Sequence, residues 1–489
     1  MRQSGMLVHV SSLPGPEGIG TIGGPARQLI DFLHESGMRV WQMLPVGPTG
    51  FGASPYQSPS TFAGNPLLID LDDLKKDGIL PADTDISGEG GPQVDYEAVE
   101  KKKAACLALA FSTSYERLRP EVEAFAAQNA WATPYGQYQA LCEHFGHFGQ
   151  WSLSARRYYI NRNEKTAELL RSLDERVRYH VFVQYLFDRQ WEALHSYARE
   201  HEVALFGDIP IYVAPGSADV WQYPRYFQVD ENLNPQRVAG VPPDYFSADG
   251  QLWGNPLYSW LKLFVKGYDW WIERLRAVGR RFDMVRIDHF IGFANYYSIP
   301  ANAKNARSGK WVKNNGILFF RKVRQALPDL NIIAEDLGVV GPRVKRLLRM
   351  TGFPGMKVLV FGLDSDQKNP HHPDNIKENC VAYTGTHDND TVLGWWQRIG
   401  RKERQNALSI LKAEPGSDIC DVMVRSVLKS PAFLAVIPVQ DLLALDNSAR
   451  MNYPGTVGGS NWRYRLTGGQ LSATLAERIR LINKEYGRQ

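Results

Sequence analysis

Cysteine is scarce in this chain: Cys106, Cys142, Cys380 and Cys420 are the only four in 489 residues, and no two form a CxxC pair. That count argues against a disulfide scaffold or a zinc ribbon and for a reducing compartment. Long apolar runs are missing too, since no stretch approaches the roughly 18 residues needed to span a bilayer. The opening MRQSGMLVHVSSLPG has one early basic residue and a short apolar run that reads as a strand, with no secretory core behind it, so a cytoplasmic location is expected and no membrane partner. Charge of one sign is equally lacking. The 56 Lys and Arg against 52 Asp and Glu leave +4 and form no long basic run, which gives no reason to expect nucleic acid as a partner. Internal repeats, low-complexity segments and a GxGxxG turn after the first apolar run are also absent.

What is present is an ordinary globular composition, 44% hydrophobic and 22% charged, with length enough for a large core. Aromatics are plentiful, at 13 Trp, 22 Tyr and 21 Phe. They offer flat faces on which a sugar ring stacks, although large cores use aromatics for packing alone.

Along the chain one unit recurs, a short apolar run ending in a polar residue or Gly/Pro and followed by helical periodicity. The runs are MLVHVSSL from Met6, VWQMLPV from Val40, VALFGDIPI from Val203, MVRIDHF from Met284, NIIAEDL from Asn331, MKVLVFG from Met356, VAYTGTHD from Val381 and FLAVIPVQD from Phe433. Between them, Val177, Val181, Tyr185 and Leu186 share one helical face, and PRVKRLLRM reads as a helix before the sixth run. Eight buried strands alternating with helices predict an α/β fold, a (β/α)8 TIM barrel, with a doubly wound open sheet as the alternative. A crossover needs only a few tens of residues, so the roughly 155 residues between the second and third runs and roughly 70 between the third and fourth place inserted lobes there. The second of these contains the aromatic loop VAGVPPDYFSADGQLWGNPLYSW.

In a barrel the C-terminal ends of the strands converge on one mouth, and enzymes of this fold keep their chemistry there. Asp208 ends the third run, Asp288 the fourth, Glu335 the fifth and Asp388 the seventh. Each has a plainer explanation taken singly. Asp208 and Asp388 suit caps or turns, the latter before a helix starting near Thr391, and Arg286 with Asp288 suits a buried ion pair, because positions i and i+2 of a strand share a face. Together they are harder to explain structurally, since acids gathered in one cleft raise each other's pKa and cost stability. Such a group suits acid/base chemistry at neutral pH, with one carboxylate kept ionised and another kept protonated. An arginine two residues before Asp288 favours its charged form. A metal site built from His289, Asp288, His387, Asp388 and Asp390 is the competing chemistry.

RIDHF around Asp288, IAEDLG around Glu335 and TGTHDND around Asp388 resemble the catalytic blocks of 4-alpha-glucanotransferases of the amylomaltase, or disproportionating-enzyme, type (glycoside hydrolase family 77, in the alpha-amylase clan). The likeness runs nearly end to end and includes SSLPGPEGIGT, LPVGPTGFGASPYQSPSTFAGNP, GDIPIYVAPGSADVW, GFPGMKVLVFG and RMNYPGTVGGSNWRYR. It implies retaining transfer of alpha-1,4-glucan segments through a covalent glucosyl-enzyme, with no cofactor and no metal. Asp288 resembles the nucleophile, Glu335 the general acid/base and Asp388 the third acid, which binds ring hydroxyls and favours the distorted sugar. By the same resemblance Tyr56 is a stacking platform with Ser54 beside it, Asp208 a supporting contact, Arg286 the cation that orients Asp288, His289 and His387 donors to sugar hydroxyls, Gln251 and Trp253 part of the overhanging loop, and Asn452 a contact on the acceptor side.

The expected organisation is one catalytic barrel over residues 1–489, with a mostly helical subdomain inserted at 70–170, a loop subdomain at 212–262 covering the cleft, and no separate C-terminal β-sandwich. Tyr245, Phe246, Trp253 and Tyr258 in that loop are expected to exclude water and favour transfer. Expected partners are alpha-1,4-glucans such as maltooligosaccharides, amylose, glycogen or starch chains, and no oligomeric state is specified. An alpha-glucan hydrolase on the same scaffold is the alternative, and a silent glucan-binding barrel is a third reading. Ile291, Tyr297, Phe51 and Leu359 depart from residues frequent in the family, which bears on secondary glucan contacts.

Overall fold

A computed structural model describes residues 2–161, 163–243, 248–338 and 340–488, apart from the side chains of Phe51, Ile160 and Asn161. Tyr245 and Phe246 lie outside the described residues. Twelve strands occur among them: β1 Gln3–Leu7, β2 Val40–Gln42, β3 Ala204–Ile209, β4 Arg237–Val241, β5 Gln251–Pro256, β6 Met284–Ile287, β7 Asn295–Pro300, β8 Lys310–Lys313, β9 Asn331–Ala334, β10 Gly355–Val358, β11 Cys380–Tyr383 and β12 Leu434–Pro438.

Eight of these form one parallel sheet in the order β10-β11-β12-β1-β2-β3-β6-β9. The outer strands of that order approach each other, because the Ala334 N–H donates to the Pro354 carbonyl across 2.8 Å. The result is a sheet nearly closed into a (β/α)8 barrel, and its strands are the eight apolar runs of the sequence. Strands covered on both faces need continuous apolar runs rather than alternation, as in Leu434–Pro438, where every residue is buried. The first strand starts earlier than its apolar run. Ser4 and Gly5 belong to it, and a side chain at Gly5 would run into the Val40 carbonyl, 2.5 Å from where its Cβ would stand, so only glycine lets β1 and β2 pair this closely.

Helices cover the barrel in alternation with the strands, among them Gly24–Glu35, Asp174–Glu200, Asp269–Arg281, Gly316–Ala326, Pro342–Thr351, Ile419–Lys429 and Ala473–Glu485. Val177, Val181 and Leu186 bury one face of Asp174–Glu200, and Tyr185 packs at its margin. Between β10 and β11 only the 3-10 turns Leu359–Phe361 and Pro373–Asn375 occur, since GLDSDQKNPHHPDN is rich in Gly, Pro, Asp and Asn, which favour turns over helix.

The connection from β2 to β3 carries the helices Tyr96–Gln128, Ala132–Phe145 and Glu164–Ser172. Tyr135, Tyr138, Leu141, Trp151 and Leu170 form a second apolar core with Trp221 from the next connection, and the Trp221 indole N–H donates to Ala155 across 2.8 Å. A buried ion pair between Lys103 and Glu17 fastens Tyr96–Gln128 to the loop after β1, with Glu17 also accepting from the Leu71 N–H. A four-stranded antiparallel sheet, β5-β4-β7-β8, forms the other lobe. Two of its strands come from the connection after β6, which spacing alone did not point to: that connection is only moderately long, and β7 and β8 fit within it as a short hairpin. Ile291, Tyr297 and Leu359 are buried, Tyr297 within this sheet with its hydroxyl donating to the Ala306 carbonyl.

Candidate active site

Parallel pairing sets the depth of each functional side chain. In β3 and β6, Asp208 is level with Arg286, and in β6 and β9, Ile287 is level with Ala334, which puts Asp288 and Glu335 together just beyond the strand ends. The Asp288 N–H donates to the Ile209 carbonyl and the Glu335 N–H to the Ile287 carbonyl, so both acids sit on hydrogen-bonded backbone.

Arg286 is the hub of the first half of the site. One of its terminal nitrogens lies 2.7 Å from Asp208 Oδ2 and 2.9 Å from Asp288 Oδ1, and it also donates to the Tyr56 hydroxyl at 3.3 Å. The Tyr56 hydroxyl donates to Asp208 Oδ2 at 2.7 Å. With its hydrogen committed there, Tyr56 accepts from His387 Nε2, 3.0 Å away, which fixes the proton of a neutral His387 on that nitrogen. Burial lowers the His387 pKa and keeps it neutral. Burial works against the Arg286 charge as well, yet Asp208, Tyr56 and Asp288 outweigh it and push the guanidinium well above its ordinary range. Asp208 is therefore not a helix or turn cap here, and the ion pair of Arg286 with Asp288 exists, within a larger network.

Glu335 is held differently. Its Oε2 accepts from the His289 N–H at 2.7 Å and its Oε1 from the Leu337 N–H at 2.8 Å. His289 adopts a left-handed backbone, φ 50°, ψ 45°, unusual for a residue with a side chain and of a kind concentrated at functional sites. That turn aims its N–H at the carboxylate while the next N–H, of Phe290, donates to the Glu335 carbonyl. Burial pushes Glu335 up to about 7, against Arg286 and the two backbone donors. Burial also raises Asp288, helped by Glu335, Asp208 and Asp388 and opposed by Arg286. Two carboxyl groups coupled in this way titrate as a pair.

Asp388 completes the acids from the loop after β11. Its Oδ1 accepts from Asn452 Nδ2 at 2.6 Å, and its Oδ2 lies 3.4 Å from His387 Nε2. The cap of the helix Val392–Arg398 is Thr391, whose hydroxyl accepts from Gly394, so Asp388 is left for other work. Trp253 of β5 packs its ring edge-to-face with His289, 4.9 Å between centroids, and its indole N–H donates to Gln251 Oε1 at 3.1 Å. Ser54 Oγ accepts from the Tyr56 N–H at 3.3 Å. All twelve residues singled out in the sequence thus fall within one connected cluster at the mouth. The imidazole of His289 is buried, its Nε2 has no partner among the described residues, and burial lowers its pKa to about 4.

Three members were not singled out in the sequence. Trp462 packs its ring 5.7 Å from Tyr56 and 6.1 Å from His387. Arg450 donates to the Asp388 carbonyl at 2.7 Å. His9, at the end of β1, is fully buried beside His387 and held neutral. The first two lie inside RMNYPGTVGGSNWRYR, the motif that also supplies Asn452. The metal reading finds no support in the donor set: Asp390 is engaged by Arg398, Arg450 and Asn447. Among the described residues, the acids and histidines that come within common ligand range are Asp70, Asp72 and Asp73, on the helix Leu71–Lys76 and its cap.

A buried arginine between carboxylates, an acid raised by burial and held on backbone N–H groups and a third acid from the loop after β11, all at the mouth of a parallel barrel, define an enzyme that acts on glycosides. The chain belongs to the 4-alpha-glucanotransferase family, whose profile matches residues 8–472. It is 44% identical to the 4-alpha-glucanotransferase of Thermus thermophilus over 499 aligned positions, covering 98% of each chain. It is 41% identical to that of Streptococcus pneumoniae, covering all of this chain and 97% of the other. Its structure superposes on the amylomaltase from Streptococcus agalactiae in complex with acarbose with a TM-score of 0.95, at 37% identity and over the whole of both chains.

Proposed function

We propose that this glucanotransferase moves alpha-1,4-glucan segments from a maltodextrin donor to the 4-hydroxyl of an acceptor glucan or glucose, with Asp288 as nucleophile, Glu335 as general acid/base and Asp388 as the acid that grips the ring hydroxyls. In the first step Asp288 bonds to C1 as the C1–O glycosidic bond breaks and Glu335 gives its proton to the departing oxygen. In the second the acceptor 4-hydroxyl attacks C1, Glu335 takes back its proton and the bond to Asp288 breaks. The observation that carries this reading is the unequal holding of the two carboxyls. Asp288 has the guanidinium at 2.9 Å and keeps a third of its side chain exposed, while Glu335 is buried and directly bonded only to backbone donors. The guanidinium favours the charge on Asp288 and burial favours the proton on Glu335, the division the first step requires.

Transfer over hydrolysis is supported by the lobe strand β5, whose Trp253 reaches His289, the neighbour of Asp288. In this reading the lobe segment covers the cleft and presents apolar surface to an incoming sugar instead of water. His289, neutral and with Nε2 unpartnered among the described residues, has the chemistry to donate to a sugar hydroxyl, whereas neutral His387, its N–H committed to Tyr56, can accept from one at Nδ1. Maltooligosaccharides and longer alpha-glucan chains are the proposed substrates. A cytoplasmic site of action belongs to the same proposal, supported by four cysteines that all stand as free thiols; none of the described helices is long and apolar enough to cross a membrane. Incubation with maltotriose tests the reading. Free glucose with longer oligosaccharides and almost no net gain in reducing ends is expected, whereas a large gain in reducing ends marks a hydrolase and no change a binder.

A further inference from the structure

We infer that Arg450 is a positioning residue for Asp388, acting as a brace between the two loops that meet at that carboxylate; this rests on the role given to Asp388 above. Neither loop has regular structure of its own. Asp388 stands between β11 and the helix Val392–Arg398, and Asn452 in the stretch after the 3-10 turn Asn447–Ala449. A carboxylate that must meet ring hydroxyls tolerates little displacement, so such loops need an external constraint.

Arg450 supplies it with three separate groups. Nη2 donates to the Asp388 carbonyl at 2.7 Å, Nε donates to the Asn452 carbonyl at 2.7 Å, and Nη1 pairs with Asp390 Oδ1. The guanidinium carbon sits 4.3 Å from the centre of the Tyr453 ring, which holds the plane of the fork. One rigid planar group therefore fixes the backbone at 388, the acid at 390 and the backbone at 452. Across that same gap Asn452 Nδ2 donates to Asp388 Oδ1 at 2.6 Å, so the brace sets the distance over which this bond forms. A lysine keeps the charge but not the fork. Arg398 provides a control: it pairs with Asp390 at 2.7 Å from an exposed position, and no hydrogen bond joins it to Asp388 or Asn452.

The test follows glucose release from maltotriose by the full chain and by Arg450→Lys, Arg398→Ala, Asn452→Ala, the Arg450→Lys/Asn452→Ala double variant and Asp388→Asn. Arg450→Lys is expected to lower kcat about 10- to 100-fold with KM within about threefold, and Arg398→Ala to stay within about twofold of the parent. Because Arg450 acts through the Asp388–Asn452 contact, the double variant should fall short of the product of the single losses by about tenfold or more. An Arg450→Lys kcat within about twofold of the parent, or losses that simply multiply, overturns the inference. Should Arg450→Lys fail to fold by circular dichroism, Asp390→Asn takes its place under the same criteria, since it frees the guanidinium from its anchor. Asp388→Asn separates the two claims. Normal turnover there removes the role of Asp388 and this inference with it, while an inactive Asp388→Asn beside an unimpaired Arg450→Lys removes the inference alone.

Discussion

Arg286 and Asp288 stand two residues apart on one strand face and are joined by a 2.9 Å charge-assisted hydrogen bond. The same nitrogen holds Asp208, whose side chain is fully buried. Replacing Arg286 by Met thus strands one carboxylate in the interior and leaves another without its cation. Turnover is expected to fall by roughly three orders of magnitude, and unfolding in urea to show a loss of about 3–5 kcal/mol. Residual activity should also have its acid limb at higher pH, because a carboxylate without its cation binds protons more tightly. An unmoved acid limb in the kcat/KM profile would count against Arg286 as the group that keeps Asp288 charged.

Glu335, raised by burial to about 7, governs the other side of the profile. As the proton donor it must be protonated, so activity should decline as pH rises through about 7. The same shift has a sign for stability. The folded state binds a proton at Glu335 that the unfolded chain gives up near its ordinary 4.5, so Glu335 costs stability as pH rises from 4.5 towards 7. Relative to Glu335→Gln, the parent should therefore lose stability across that window and not below it, as paired urea titrations at pH 4 and pH 8 would show.

Among the described residues, Trp253 meets the neighbourhood of Asp288 through an edge-to-face contact with His289. Trp253→Ala should leave the three acids in place while opening a path for water. The expected result is a rise of about tenfold in reducing ends formed per glucan transfer from maltotriose, with thermal stability little changed. An unchanged ratio would assign water exclusion to another part of the lobe.

The Lys103–Glu17 pair fastens the helical lobe to the loop after β1, with both side chains about 2% exposed. Lys103→Met leaves Glu17 buried without its cation and is expected to cost about 3–5 kcal/mol in urea unfolding, while kcat at 25 °C stays near the parent value. Burial already raises the Glu17 pKa, and loss of Lys103 raises it further, so the defect should deepen as pH rises above the ordinary Glu range. Lys103→Met/Glu17→Gln should recover part of the loss, since it removes the uncompensated charge.

The barrel was legible because burial on both faces writes each strand as an apolar run. Its edges were less so. Ser4 and Gly5 look unlike a strand until the close approach of Val40 explains the glycine. The small sheet escaped notice because β7 and β8 lie on a connection of unremarkable length, and their pairing with β4 and β5 is a long-range fact. At the site, acids at strand ends were visible since sequence position fixes their depth in a parallel barrel. Arg450 and Trp462 were not, because they lie in loops whose placement depends on packing against Tyr56 and the turn at Asp388 rather than on any local period.

The packing of Trp462 against Tyr56 and His387 joins the start of the chain to its last tenth. Contacts so distant in sequence cannot form before both segments exist, as is also true of the pairing of β1 with β12 that closes that part of the barrel. On a ribosome the cleft stays unfinished until the stretch bearing Arg450, Asn452 and Trp462 has emerged, so a nascent chain stopped just short of it holds all three acids and is expected to transfer no sugar.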